Sequence, residues 1–204
     1  MVIARLSSGF AVIGDTQFLP GYYLLLASPR ANHRSDLSFD RRQRFLVEMS
    51  LLGEAIETAC RGRELRRITY EILGNTDAYL HAHVFPRYSW EPAERHGCPV
   101  FLYPPGRWTD ERYHFSEDRH GVLKHDIATV LQNLMRRAGS PEWSLSERDG
   151  HADRTIGRCH SSLQKLPAAR TQPSWCQQSV AHEPSCERVC VPGQRHQRDN
   201  DGAM

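Results

Sequence analysis

Long apolar runs are missing from this chain. Nowhere in its 204 residues do about 18 apolar residues follow one another, which excludes a membrane-spanning helix and gives no reason to expect a membrane partner. The opening residues also lack a cationic stretch followed by an apolar core and a cleavage site, so no secretory leader is expected and the expected compartment is cytoplasmic. Lysine is nearly absent, with only Lys124 and Lys165, and a coding bias accounts for that more simply than function. An excess of either charge is missing too. The formal net charge is +2, from 18 basic against 16 acidic residues up to residue 138 and eight of each beyond it. Such a balance gives no argument for a nucleic-acid-binding surface, and no nucleic-acid partner is expected. The six cysteines form no Cys-x-x-Cys pair. Cys159, His160, Cys176, Cys186 and Cys190 follow no compact zinc-ligand spacing, so no metal site is expected.

Large apolar residues thin out after residue 138. Regular periodicity over residues 1–138 predicts one folded domain, while residues 139–204 read as a tail too poor in apolar surface to offset its ordering entropy. Within the domain, Phe10 to Gly14 and Tyr22 to Ala27 read as strands joined through the turn pair Pro20-Gly21. Asp36 or Ser38 can cap a helix reaching about Cys60, with Phe45, Met49, Leu52, Ile56 and Ala59 as its apolar stripe. Arg66 to Leu73 alternates as a strand whose wetter face carries Arg67, Thr69 and Glu71. Pro99 to Tyr103 reads as an edge strand, and Ser116 can cap a second helix to about Arg137. These elements sum to an α+β fold, a small antiparallel sheet with two main helices on one side.

The most informative stretch is residues 74–88. Successive side chains of a strand point to opposite faces, so Tyr79, His81 and His83 share one face while Leu80, Ala82 and Val84 take the other. Pro86 is expected to end the strand. A turn over Gly74 to Asp77 should join it to the preceding strand as an antiparallel hairpin. With 11 histidines, about 0.6 His-x-His pairs are expected by chance, so spacing alone says little. The surroundings say more. Tyr79-Leu80-His81-Ala82-His83-Val84-Phe85-Pro86-Arg87 resembles the hallmark of the histidine triad (HIT) family, His-φ-His-φ-His-φ-φ followed by Pro-Arg, with tyrosine at its first histidine. Pro20-Gly21-Tyr22-Tyr23-Leu24 is similar to that family's Pro-Gly-His-x-Leu segment, again with tyrosine for histidine. The resemblance spans residues 8–137.

The resemblance implies a five-stranded sheet, commonly paired into a homodimer, and a nucleotidyl hydrolase acting on dinucleoside polyphosphates such as diadenosine tetraphosphate, or on nucleoside phosphoramidates. His81 matches the histidine that attacks the α-phosphorus and becomes nucleotidylated; His83 matches the one that assists the leaving group. Thr76 and Asn75 fall where the family contacts phosphate, although both also suit a plain turn. Tyr79 replaces a histidine whose backbone carbonyl helps orient the catalytic ring, and its hydroxyl can add a bond. Arg87 is a candidate for the anionic substrate or for a structural ion pair. Phe18, Tyr22 and Ile13 are expected around the nucleoside, and Arg107 and Trp108 in a covering loop. No cofactor is required by this reading; a divalent metal such as magnesium can accompany the substrate. Three alternatives remain. A nucleotidyltransferase or phosphorylase of the same family would pass the nucleotidyl group to another acceptor, and a nucleotide-binding dimeric module would have lost turnover. A metal hydrolase would need ligands beyond His81 and His83.

Overall fold

The computed structural model describes residues 1–74 and 78–139. Asn75, Thr76, Asp77 and all but the first residue of the expected tail therefore lie outside the described residues. Five strands form one antiparallel sheet: β1 (Val2–Arg5), β2 (Gly9–Ile13), β3 (Tyr23–Ala27), β4 (Leu65–Glu71) and β5 (His81–Tyr88), in the order β1-β2-β3-β5-β4. Two long helices, α1 (Phe39–Ala59) and α3 (Glu117–Arg137), pack over one face. A short helix, α2 (Pro105–Thr109), lies between them in sequence. The α+β class and the antiparallel sheet agree with the sequence reading.

The histidine strand is central. Its register sets Leu26 opposite His81 and Leu24 opposite His83 on β3, and Glu71 opposite His83 on β4. All residues of β3 and of β5 are buried. Helix-side residues Leu25, Ala82 and Val84 meet Phe45, Leu52 and Ile56 of α1 and Leu123, Ile127 and Leu131 of α3. On the other face Leu24, Leu26 and Phe85 meet Phe18, Tyr22, Val100 and Tyr103, with Phe101, Trp108 and Tyr113 packed against them. Fully burying one such leucine stabilises the fold by roughly 1.5–3 kcal/mol, so both coverings are substantial.

That second covering corrects the sequence reading. Val100–Leu102 is a 3-10 turn rather than an edge strand, and with α2 it forms an aromatic cap over the histidine face. Pro99 and the Pro104-Pro105 pair flank the segment and fix φ at about −65°, which favours turns there over extended backbone. The cap is held to the loop before β3 by Gln17 N–H donating to Tyr113 O (2.6 Å) and Phe115 N–H to Asp15 O (2.7 Å). Two further expectations are corrected. β5 runs through Pro86 to Tyr88, because beyond Val84 it has a partner only in β4 and is a one-sided edge where a missing N–H is tolerated. The β4–β5 connection spans residues 72–80, longer than a four-residue turn.

Glu48, inside the apolar stripe of α1, is buried for a local reason. Its Oε1 accepts from Ser7 N (2.9 Å) and Ser7 Oγ (2.5 Å), and its Oε2 from Ser8 N (2.9 Å) and Ser8 Oγ. One carboxylate thereby satisfies the turn between β1 and β2 and ties it to α1. Replacing Glu48 by alanine should lower the unfolding free energy by about 2–3 kcal/mol, since the buried Ser8 amide and the part-buried Ser7 amide lose their acceptor. Urea unfolding of the variant measures this, and a change within about 0.5 kcal/mol would refute the anchoring role.

Candidate active site

His81 and His83 stand side by side on β5, their ring centroids 4.7 Å apart and their planes at 78°. His81 is 6% exposed and His83 1%. Each ring is held through Nδ1. For His81 the partner is the backbone carbonyl of Tyr79, at 2.7 Å. A carbonyl can only accept, so Nδ1 carries the hydrogen and the neutral ring keeps its lone pair on Nε2. For His83 the partner is the Tyr22 hydroxyl, also at 2.7 Å. Among the described residues neither Nε2 has a protein hydrogen-bond partner.

The ring of His83 is enclosed by aromatics. Phe85 lies parallel to it at 5.7 Å, and Phe101 of the cap meets it edge-on at 4.8 Å. Burial holds the imidazole well below the ordinary histidine range, and the neighbouring His81 pushes the same way. Glu71, its partner on β4, has a carboxyl that burial pushes above the usual range; a hydrogen bond from Val100 N–H (3.2 Å) and the Arg87 charge oppose that in part. Trp108, stacked on Phe101 at 5.3 Å, keeps its indole Nε1–H buried with no acceptor among the described residues.

The remaining sequence candidates fall into three groups. Tyr79 belongs to the frame of His81: it supplies the anchoring carbonyl, its hydroxyl donates to Ala27 O at 2.5 Å, and Arg30 lies 5.7 Å over its ring. Arg87 is also framework. Its Nε donates to both Glu91 oxygens (3.1 and 2.9 Å), Nη1 to Cys98 O (3.0 Å) and Nη2 to Arg95 O (2.6 Å), while Glu91 Oε1 also takes Tyr88 N–H (2.5 Å). With its side chain 4% exposed and its guanidinium so engaged, the structural ion pair describes it better than substrate contact. Asn75 and Thr76 lie outside the described residues.

Of the expected nucleoside-pocket residues, Phe18 and Tyr22 sit under the cap, but Ile13 is on the helix side of the sheet. The alternation of β2 puts Val12 on the histidine face instead. Arg107, expected in a covering loop, lies in α2 and bonds the Tyr113 hydroxyl. Among the described residues, no three His, Cys, Asp or Glu side chains gather as a metal-holding group. No helix among them is long and apolar enough to cross a membrane.

Sequence reasoning passed over three contributors. Glu71 had been placed on a wet strand face, and strand alternation was the signal that this face is shared with His83. Gln17, buried at 3% exposure, donates through Nε2 to Gly14 O (2.8 Å) and Tyr22 O (3.0 Å) and accepts Gly21 N–H at 2.9 Å. It fixes the loop that delivers Tyr22. Phe101 gave no signal, being assigned to a strand.

No family model matches the sequence, and no curated protein does. Solved structures do. The chain is similar to a histidine triad protein from Sinorhizobium meliloti 1021, with a TM-score of 0.53 and 18% identity over 63% of this chain and 87% of that one. It is likewise similar to a histidine triad protein from Marinobacter aquaeolei VT8, with a TM-score of 0.53 and 20% identity over 66% of this chain and 90% of that one. The likeness is one of fold.

Two outcomes follow from this geometry. Arg87→Met should cost about 3–5 kcal/mol of stability, because it leaves Glu91 charged and buried without its partner; a variant as stable as wild type would return Arg87 to the list of substrate contacts. Because the folded state disfavours a proton on His83, the unfolded chain binds more protons below its own value near 6.5. Stability should therefore fall as pH drops through about 6.5. Urea midpoints at pH 5 and 8 should differ less in His83→Gln than in wild type, and equal differences would show that another group controls the effect.

Proposed function

We propose that this protein is a nucleotidyl hydrolase in which the Nε2 lone pair of His81 attacks the innermost phosphorus of a nucleotide substrate. The observation that carries this reading is the His81 Nδ1 bond to the Tyr79 carbonyl, which in the neutral ring leaves the nucleophilic Nε2 uncommitted. A bond forms between Nε2 and phosphorus while the bond from phosphorus to the leaving group breaks, and its electron pair departs with that group. Water then attacks the same phosphorus and the N–P bond breaks. The nucleoside monophosphate is released, His81 regains its lone pair, and the surplus proton goes to solvent. His83 assists the leaving group at the adjacent position. Thr76 and Asn75 are assigned to the phosphate on the family resemblance alone. Dinucleoside polyphosphates such as diadenosine tetraphosphate, or nucleoside phosphoramidates, are the proposed substrates, magnesium accompanying the phosphates where present. The strand order leaves β4 with a partner on one side only, which supports the homodimer that the resemblance implies.

One observation favours a second reading, a nucleotide-binding module without turnover. The histidine rings are 6% and 1% exposed, with Phe101 of the cap against His83, so a substrate must displace part of that cover to reach them. A turnover screen on dinucleoside polyphosphates and adenosine phosphoramidates, run with EDTA and with or without added phosphate, separates the possibilities. The expected result is monophosphate release in EDTA, a labelled nucleotidyl-protein trapped by a denaturing quench at alkaline pH, where the N–P bond survives, and at least about a thousandfold loss of both in His81→Ala. Nucleotide binding with no trapped adduct would establish the second reading. A nucleoside diphosphate formed only with added phosphate would make the enzyme a phosphorylase. Activity abolished by EDTA and restored by zinc would make it a metal hydrolase.

A further inference from the structure

The Tyr22 hydroxyl is buried with the rest of its ring, which is 3% exposed. Its hydrogen bond among the described residues is to His83 Nδ1. A buried phenol keeps its proton and has to donate it, and here the available acceptor is that nitrogen. The reverse arrangement, with Nδ1–H donating to the phenol oxygen, would leave the phenolic hydrogen without an acceptor. A neutral imidazole has one ring proton, so an accepting Nδ1 puts it on Nε2. His81, anchored by a carbonyl, has the opposite tautomer. Two rings on one strand are thereby made chemically unlike by their partners.

Tyr22 is itself held on every side. Its ring lies where Gly14 has no side chain; a Cβ there would fall 2.2 Å from Tyr22 Cδ1. The ring stacks on Phe85 at 4.2 Å, Gln17 Nε2 holds its carbonyl at 3.0 Å, and Gly21 before it takes φ +94°, a conformation suited to glycine. The titratable groups facing His83 are His81 on its own strand, Glu71 from β4 and Tyr22 from the loop before β3.

We infer that Tyr22 is the positioning residue that fixes the tautomer of His83, so that His83 presents a neutral Nε2–H to the departing group as a hydrogen-bond donor and does not surrender its proton. This role rests on the hydrolase reading above. When His81 Nε2 bonds to phosphorus, the leaving oxygen departs with the electron pair of the broken P–O bond. The Nε2–H of His83 stabilises its charge, as preorganised donors do, and the proton stays on the ring. Such a site suits leaving groups that depart as stable anions. The inference therefore narrows the substrate class to phosphoanhydrides, because the amine of a phosphoramidate needs a proton that this ring withholds.

The test is nitrogen-15 NMR of the histidine rings in the resting full-length protein, with the His83→Gln variant assigning the signals. The expected spectrum has a protonated Nε2 and an unprotonated Nδ1 for His83, and the reverse for His81. Tyr22→Phe should shift the His83 pair toward a mixture of tautomers and leave His81 unchanged. It should also lower kcat on a dinucleoside polyphosphate about tenfold with little change in KM, the loss expected for one hydrogen bond felt in the transition state. Wild type should turn over the anhydride at least about tenfold faster than the matching phosphoramidate. A His83 ring protonated on Nδ1, identical ring signals in wild type and Tyr22→Phe, or faster turnover of the phosphoramidate would each overturn the inference. If Tyr22→Phe does not fold, the wild-type spectrum decides. The spectrum reads the resting protein, so absence of hydrolysis would remove the catalytic reading and leave the tautomers standing.

Discussion

A strand covered on both faces carries two histidines at least cost when one ring nitrogen of each finds a partner within the protein. That requirement organises the centre of this molecule. β5 is buried along its whole length, helices on one side and an aromatic cap on the other. Its histidines answer the demand in two ways: His81 by reaching back two residues to its own chain, His83 by reaching across to the loop before β3. The first solution is local and needs only that residue 79 have a carbonyl. The second is tertiary and needs a hydroxyl delivered from residue 22, which in turn needs the loop from Gly14 to Tyr22 to keep its shape.

Much of the polar wiring follows from that need. Gln17 spans the loop, bonding the carbonyls of Gly14 and Tyr22 and the amide of Gly21. Thr16, next to it, forms a bridge with His114, so the loop that positions Tyr22 also carries the end of the cap. At the far end of β5, Arg87 and Glu91 bind the carbonyls of Arg95 and Cys98 and the amide of Tyr88, fixing the start of the segment that returns over the histidines. Such a buried pair gives little net stability compared with apolar groups of the same shape, but it is directional. Here it holds irregular backbone that has no ladder of its own.

What the sequence made legible divides along the same line. Periodicity gave α1 and α3 to within a residue or two, since 3.6-residue and two-residue patterns are local properties. The alternation of residues 79–84 correctly paired the two histidines on one face. The contacts that define their chemistry are less legible, because Tyr22 and Gln17 reach His83 by tertiary register. Tyr22 reads from the sequence as a departure from a motif and as a nucleoside-pocket residue, not as the partner of His83, and Glu71 is legible only through strand alternation. Arg87 was ambiguous for a physical reason: a guanidinium facing an anion and one facing a buried carboxylate have the same sequence. Pro86 misled because the rule that proline ends strands presumes a partner on both sides, and β5 has lost one there.

On the resemblance of residues 20–24 and 79–87 to the histidine triad motif, Tyr22 and Tyr79 fall at positions where that motif has histidine. A histidine at position 22 could donate or accept, could take a second proton near neutral pH, and would leave the tautomer of its neighbour open. A buried tyrosine does none of this. Burial and the carboxylates of Asp15 and Glu71 raise its ionisation well above the normal phenol range, so it offers one proton in one direction at any pH the protein meets. At position 79 the side chain turns to Ala27 and only the carbonyl faces the histidine, so what the motif needs there is backbone. On that resemblance, position 79 would keep its part through the main chain, while at position 22 a titratable partner would give way to a hydroxyl whose hydrogen-bond direction is set when the chain folds.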